Sequence, residues 1–145
     1  MTVQRMHHVG VVVEDLDAAI AFLAALGMRG QAATTVEGEL VDRITAVPGN
    51  RSRVAMLKTP DGHGRVELIE FLAPDVRMGD VGAPANTLGL RHLAFVVDDL
   101  DATLDALLPH GGRLVGDVAR LGTTYRLCYV RGPAGIIVEL AETVG

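Results

Sequence analysis

The stretch His8-Val9-Gly10-Val11-Val12-Val13-Glu14-Asp15-Leu16-Asp17-Ala18 returns in the second half of the chain as His92-Leu93-Ala94-Phe95-Val96-Val97-Asp98-Asp99-Leu100-Asp101-Ala102. In each copy a short run of β-branched and apolar residues, suited to a strand, gives way to carboxylates that suit the start of a helix. The first strand is expected over Met6 to Val13 and the first helix over Asp15 to Leu26. Leu16, Ala19, Ile20, Leu23 and Leu26 recur at helical spacing there, and Gly27 supplies a stop. The second helix repeats this with Leu100, Leu104, Leu107 and Leu108 on one face and Gly111-Gly112 at its end. Asp15, Asp17, Asp99 and Asp101 are accordingly read as helix-start residues. A duplicated unit explains the pattern.

The ends of the two copies match as well: Val66-Glu67-Leu68-Ile69-Glu70 corresponds to Val138-Glu139-Leu140-Ala141-Glu142. Between helix and closing strand lie β-like segments at Gln31 to Val36, Arg53 to Lys58 and Arg65 to Phe71, then at Arg113 to Val115, Tyr125 to Val130 and Ile136 to Leu140. Each half therefore reads as βαβββ, an α+β architecture of two tandem modules. Thr59-Pro60-Asp61-Gly62 and Gly132-Pro133-Ala134-Gly135 carry the Pro and Gly of tight turns before each last strand. The chain is expected to be one domain over 1–145, with module 1 at about 5–73, a Pro-, Gly- and Ala-rich linker at about 74–88, and module 2 at about 89–142.

With 145 residues, 49% of them hydrophobic, the chain can build one substantial core, so the two copies are expected to share it. The net charge of −5, with no basic stripe, speaks against a nucleic-acid partner. No apolar run reaches membrane-spanning length and the first residues lack a signal-like region, so a soluble protein is expected. A single cysteine, Cys128, fits a cytoplasmic location.

Four residues occupy equivalent places in the two copies: His8 and His92 on the first strands, Glu67 and Glu139 on the last. Residues two apart on a strand share a face, so His8 aligns with Gly10 and Val12, and Glu67 with Arg65 and Ile69. A carboxylate within Val-Glu-Leu-Ile needs a cation or hydrogen bonds if it is buried. Two imidazoles and two carboxylates suit one divalent ion of Zn, Ni, Co, Mn or Fe, without saying which. The alternative is an exposed sheet face on which all four are merely solvated. His7 falls on the opposite face from His8, while His63 in a turn and His110 at a helix end are ordinary surface positions. Tyr125 and Arg126 face alternate sides, and one of them is a candidate to touch a substrate carboxylate or phosphate. Cys128 reads as a small core residue without an activating histidine.

The strings His8-Val-Gly-Val-Val-Val with Asp15-Leu16-Asp17, Val66-Glu67-Leu68, Gly89-Leu90-Arg91-His92-Leu93-Ala94-Phe95 and Gly135-Ile136-Ile137-Val138-Glu139-Leu140 resemble the vicinal oxygen chelate superfamily along essentially the whole chain. This is the glyoxalase, bleomycin-resistance and dioxygenase group. The resemblance implies paired modules curled into a U-shaped mixed sheet around a central cleft, often as a homodimer. It implies a divalent metal held by His8, Glu67, His92 and Glu139. It also implies an isomerase, epimerase or lyase that moves a proton alpha to a metal-bound carbonyl of a small-molecule substrate, with Glu139 as ligand and base and Glu67 as its counterpart.

Among the branches, the two longest strings look most similar to methylmalonyl-CoA epimerase, with glyoxalase I close behind. Glu37 or Glu39 is a candidate second base. The non-enzymatic alternative is a metal-free module that sequesters an antibiotic or another small molecule. Drug-binding relatives favour aromatic walls, whereas this chain has no Trp and only 3% aromatic residues. Substrate choice is expected to rest on the cleft walls and on the segment from Val36 to Asn50.

Overall fold

A computed structural model describes residues Met1–Val144, and the chain divides into two compact units, Met1–Met78 and one beginning at Gly79. The first contains β1 (Val9–Val12), α1 (Leu16–Leu26), β2 (Arg29–Gly30), β3 (Thr34–Glu37), α2 (Glu39–Thr45), β4 (Arg51–Lys58) and β5 (Arg65–Ala73). Its sheet runs β1-β5-β4-β2, with β3 also paired to β4. The second contains β6 (His92–Val97), α3 (Leu100–Leu107), β7 (Arg113–Leu114), β8 (Ala119–Leu121), β9 (Tyr125–Arg131) and β10 (Ile137–Thr143). Its sheet runs β6-β10-β9-β7, with β8 also paired to β9. The expected α+β class is what the chain adopts. In both units the first strand lies parallel to the last, and the remaining pairs are antiparallel.

The helix starts follow the sequence closely. Asp15 accepts the backbone N–H of Ala18 and Asp99 that of Ala102, which satisfies donors that an isolated helix end leaves free. Gly27 ends α1 at φ 111°, a left-handed conformation that favours glycine. One face of each sheet is packed by its helix. On β5 and β4 the alternate residues Val66, Leu68, Ala55 and Leu57 are buried, together with Leu16, Ala19, Phe22 and Leu23 of α1. On β10 and β9 the equivalents are Val138, Leu140, Cys128 and Val130, buried with Leu100 and Leu107 of α3.

Three short elements depart from the expected βαβββ pattern: β2, α2 and β8. The first strand is also shorter than expected. β1 begins at Val9, which pairs with Val66, the second residue of β5. His8 therefore precedes the first strand and does not sit on it.

Candidate metal centre

The sheet faces turned away from the helices carry the residues singled out by the repeat. Partners across a sheet point to the same side, so in the first unit Gly10, Glu67 and Met56 form one row and Val12, Ile69 and Val54 the next. In the second unit the corresponding rows are Ala94, Glu139 and Tyr129, then Val96, Ala141 and Leu127, and His92, Ile137 and Arg131 form the row on the other side of Glu139. Glu67 and Glu139 thus hold the centre of equivalent rows, and both are half-buried. Neither takes part in the ion pairs found among the described residues, which involve Arg51, Arg53 and Arg126.

His8 and His92 are exposed. The Nδ1 atoms of His7 and His8 lie 2.7 Å apart with the two rings nearly perpendicular, so one ring donates to the other according to tautomer. The pKa of His7 is lowered from its ordinary value, first by desolvation of the ring and then by the charges of His8, Arg65 and Arg5, with Glu67 acting in the opposite direction. His92 opens β6, and its ring lies over Tyr129, with centroids 4.9 Å apart and planes inclined by 38°. Each unit by itself offers one imidazole and one carboxylate. That N/O donor chemistry fits a divalent ion of the transition series. Among the described residues, no three His, Cys, Asp or Glu side chains stand close enough together to hold a metal ion.

Other candidates fall into structural roles. The Arg126 guanidinium pairs with Asp101 at 3.1 Å and Glu142 at 3.6 Å, on the helix side of the sheet. The Asp101 hydrogen bond is the main cause raising its pKa. The same device appears in the first unit, where Arg53 pairs with Asp17 at 3.2 Å and Glu70 at 3.6 Å. Glu37 pairs with Arg51 at 3.2 Å, while Glu39 begins α2 in an exposed position. His63 and His110 are exposed, and Tyr125 is half-buried. Cys128 is buried, and desolvation pushes its thiol pKa up against the opposing charge of Arg126. Tyr129 is the residue that sequence reasoning overlooked. Its alternation with Leu127 and Tyr125 was visible, but only the strand register sets it opposite Glu139.

Residues 7–129 match the family model of the glyoxalase/bleomycin resistance protein/dioxygenase superfamily, so the chain belongs to that superfamily. Its members commonly use a divalent metal, bind small molecules and often form dimers. A crystal structure of a glyoxalase family protein from Bacillus cereus is 41% identical, with a TM-score of 0.95 over 100% of this chain and 97% of that one. A 2-epi-5-epi-valiolone epimerase from an Actinomyces species is 35% identical over 118 residues, covering 77% of this chain and 62% of the epimerase. The YwbC protein of Bacillus subtilis is 28% identical over 142 residues, covering 96% of this chain and 98% of that protein. Among the described residues no helix is long and apolar enough to cross a membrane.

Proposed function

We propose that this protein is a divalent-metal-dependent isomerase, epimerase or lyase that moves a proton on the carbon next to a substrate carbonyl. The observation that carries this reading is the repeat, which gives each unit one histidine at or just before the start of its first strand and one glutamate on the helix-free face of its last strand, His8 and Glu67, then His92 and Glu139. The four residues are assigned as metal ligands, and the ion when bound acts as a Lewis acid toward the substrate oxygen. Glu139 is assigned to take and return the proton, with Glu67 as its counterpart. The epimerase relative supports the isomerase branch. A cytoplasmic location accords with the lone, buried Cys128.

The protein is assigned as a homodimer, as members of the superfamily often are. Each sheet has one edge broken into short strands that carry charge, Arg29 on β2 and Glu37 on β3 in one unit, Arg113 on β7 and Arg120 on β8 in the other. The opposite edges, β1 and β6, carry no Asp, Glu, Lys, Arg or Pro, and each has a single neighbouring strand among the described residues. Unprotected edges of this kind are templates for pairing with another strand. Such edges suit the pairing of two copies of the chain into a homodimer.

Calorimetric titration of chelator-stripped protein with Ni, Co, Mn and Zn tests the reading. The expected result is saturable binding of one metal per chain, lost in His8→Ala and in Glu139→Ala, followed by metal-dependent deuterium exchange alpha to a carbonyl. Absence of metal binding in the unmodified protein overturns it and leaves the superfamily's metal-free small-molecule binders as the reading.

A further inference from the structure

One row of the first unit's helix-free face breaks the electrostatic pattern of the molecule. Arg29 on β2 pairs with Lys58 on β4, and Lys58 pairs with Arg65 on β5, so three cations stand abreast on adjacent strands. At a strand spacing of about 4.8 Å the row spans roughly 10 Å. Like charges placed directly opposite across strands oppose each other. None of the three has a carboxylate within ion-pair distance among the described residues. Arg65 Nε makes only a long contact of 3.5 Å with the Gly62 carbonyl.

The duplicated unit supplies an internal control. Its equivalent row is Ile137, Arg131 and Arg113. There the residue facing Arg131 on β10 is apolar, and both arginines are occupied. Arg131 donates to the carbonyls of Val81, Ala83 and Gly135, and Arg113 to those of Leu108 and Gly112. The second unit thus occupies its row with backbone oxygens, while the first keeps a third cation and only the one long contact from Arg65 to a backbone carbonyl. The row also adjoins the proposed chemistry, since Arg65 is two residues from Glu67 on the same face, about 7 Å along the strand.

We propose that Arg29, Lys58 and Arg65 form a binding site for a dianionic group of the substrate, a phosphoryl group or paired carboxylates, held beside Glu67. Three donors of positive charge in a line match several oxyanion oxygens better than a single carboxylate. The placement relative to the reacting carbon rests on the function proposed above; binding of the anion itself does not.

The test is titration of metal-stripped protein with inorganic phosphate at low ionic strength, read by calorimetry and by the melting temperature. The expected dissociation constant is on the order of a millimolar. Phosphate should raise the melting temperature of the unmodified protein. Lys58→Met and Arg65→Met should each weaken binding at least tenfold, whereas Arg120→Met, which removes an exposed arginine from the other unit, should leave it unchanged. Lys58→Met relieves a like-charge opposition at an exposed position, so its melting temperature without phosphate should equal or exceed that of the unmodified protein. Malonate run in parallel separates the sources: tighter phosphate binding assigns the row to phosphorylated substrates, and tighter malonate binding to dicarboxylates. Failure of both anions to bind, or an equal loss in Arg120→Met, overturns the proposal. A protein that binds metal but neither anion keeps the proposed enzyme function and loses only this site.

Discussion

Asp61 lies in the turn between β4 and β5, where Thr59 Oγ1 donates to its carboxylate at 2.6 Å and the His63 backbone N–H at 3.0 Å. These bonds, the Thr59 hydroxyl first, hold the Asp61 pKa below its ordinary value. A depressed carboxyl contributes stability that is present above its unfolded pKa and is lost as pH falls through the lower folded value. Asp61→Asn should therefore lower the melting temperature at neutral pH, and the gap to the unmodified protein should close under acid conditions below the ordinary aspartate range. A gap that stays constant with pH would assign the effect to the turn's shape and not to charge. Tyr129 acts at the same scale, because its ring sets one face against which His92 rests. Tyr129→Phe should leave metal affinity within about twofold, while Tyr129→Ala should lower it by roughly tenfold, the range seen when support behind a ligand is removed. Calorimetry on the two variants separates ring support from any need for the hydroxyl.

At the scale of elements, the last strand of each unit fastens the helix start to the sheet. Glu70 accepts the Leu16 backbone N–H at 2.7 Å, and Glu142 accepts that of Leu100 at 2.6 Å. Leu100 is fully buried, so Glu142→Ala leaves a buried donor unpaired and Arg126 short of a partner, at a cost of about 2 kcal/mol by chemical denaturation. The turn before β10 is tighter still. Gly135 has φ +76°, and a Cβ placed there would run into the Val81 backbone. Gly135→Ala should cost about 3 kcal/mol and loosen the segment that Arg131 holds through the Val81 and Ala83 carbonyls. These elements also mark where sequence reading reached its limit. Asp15, Asp99 and Gly27 were legible because caps and stops are local chemistry. The repeated second glutamates, Glu70 and Glu142, were visible, but their roles depend on which helix end the strand passes. The helix α2 was missed because Gly38 gives it no side-chain cap and its support comes from later residues. Asp42 accepts the Gly49 and Asn50 backbone N–H groups, and buried Asn50 joins Thr45 to Ser52. The two- and three-residue strands β2 and β8 exist only as additions to a neighbour's ladder, which leaves no periodicity to read.

For the whole molecule, duplication has produced two sheets with unlike edges, and this asymmetry sets what a second copy can do. Charged, broken edges resist further pairing, whereas the smooth edges β1 and β6 invite it. Val96 is 73% exposed on β6. Val96→Lys inserts the kind of charge that natural proteins use to blunt an edge, without touching His92 or Glu139. Sedimentation at micromolar concentration should give twice the chain mass for the unmodified protein and the single-chain mass for Val96→Lys. An unmodified protein that sediments as a single chain would remove the edge pairing altogether.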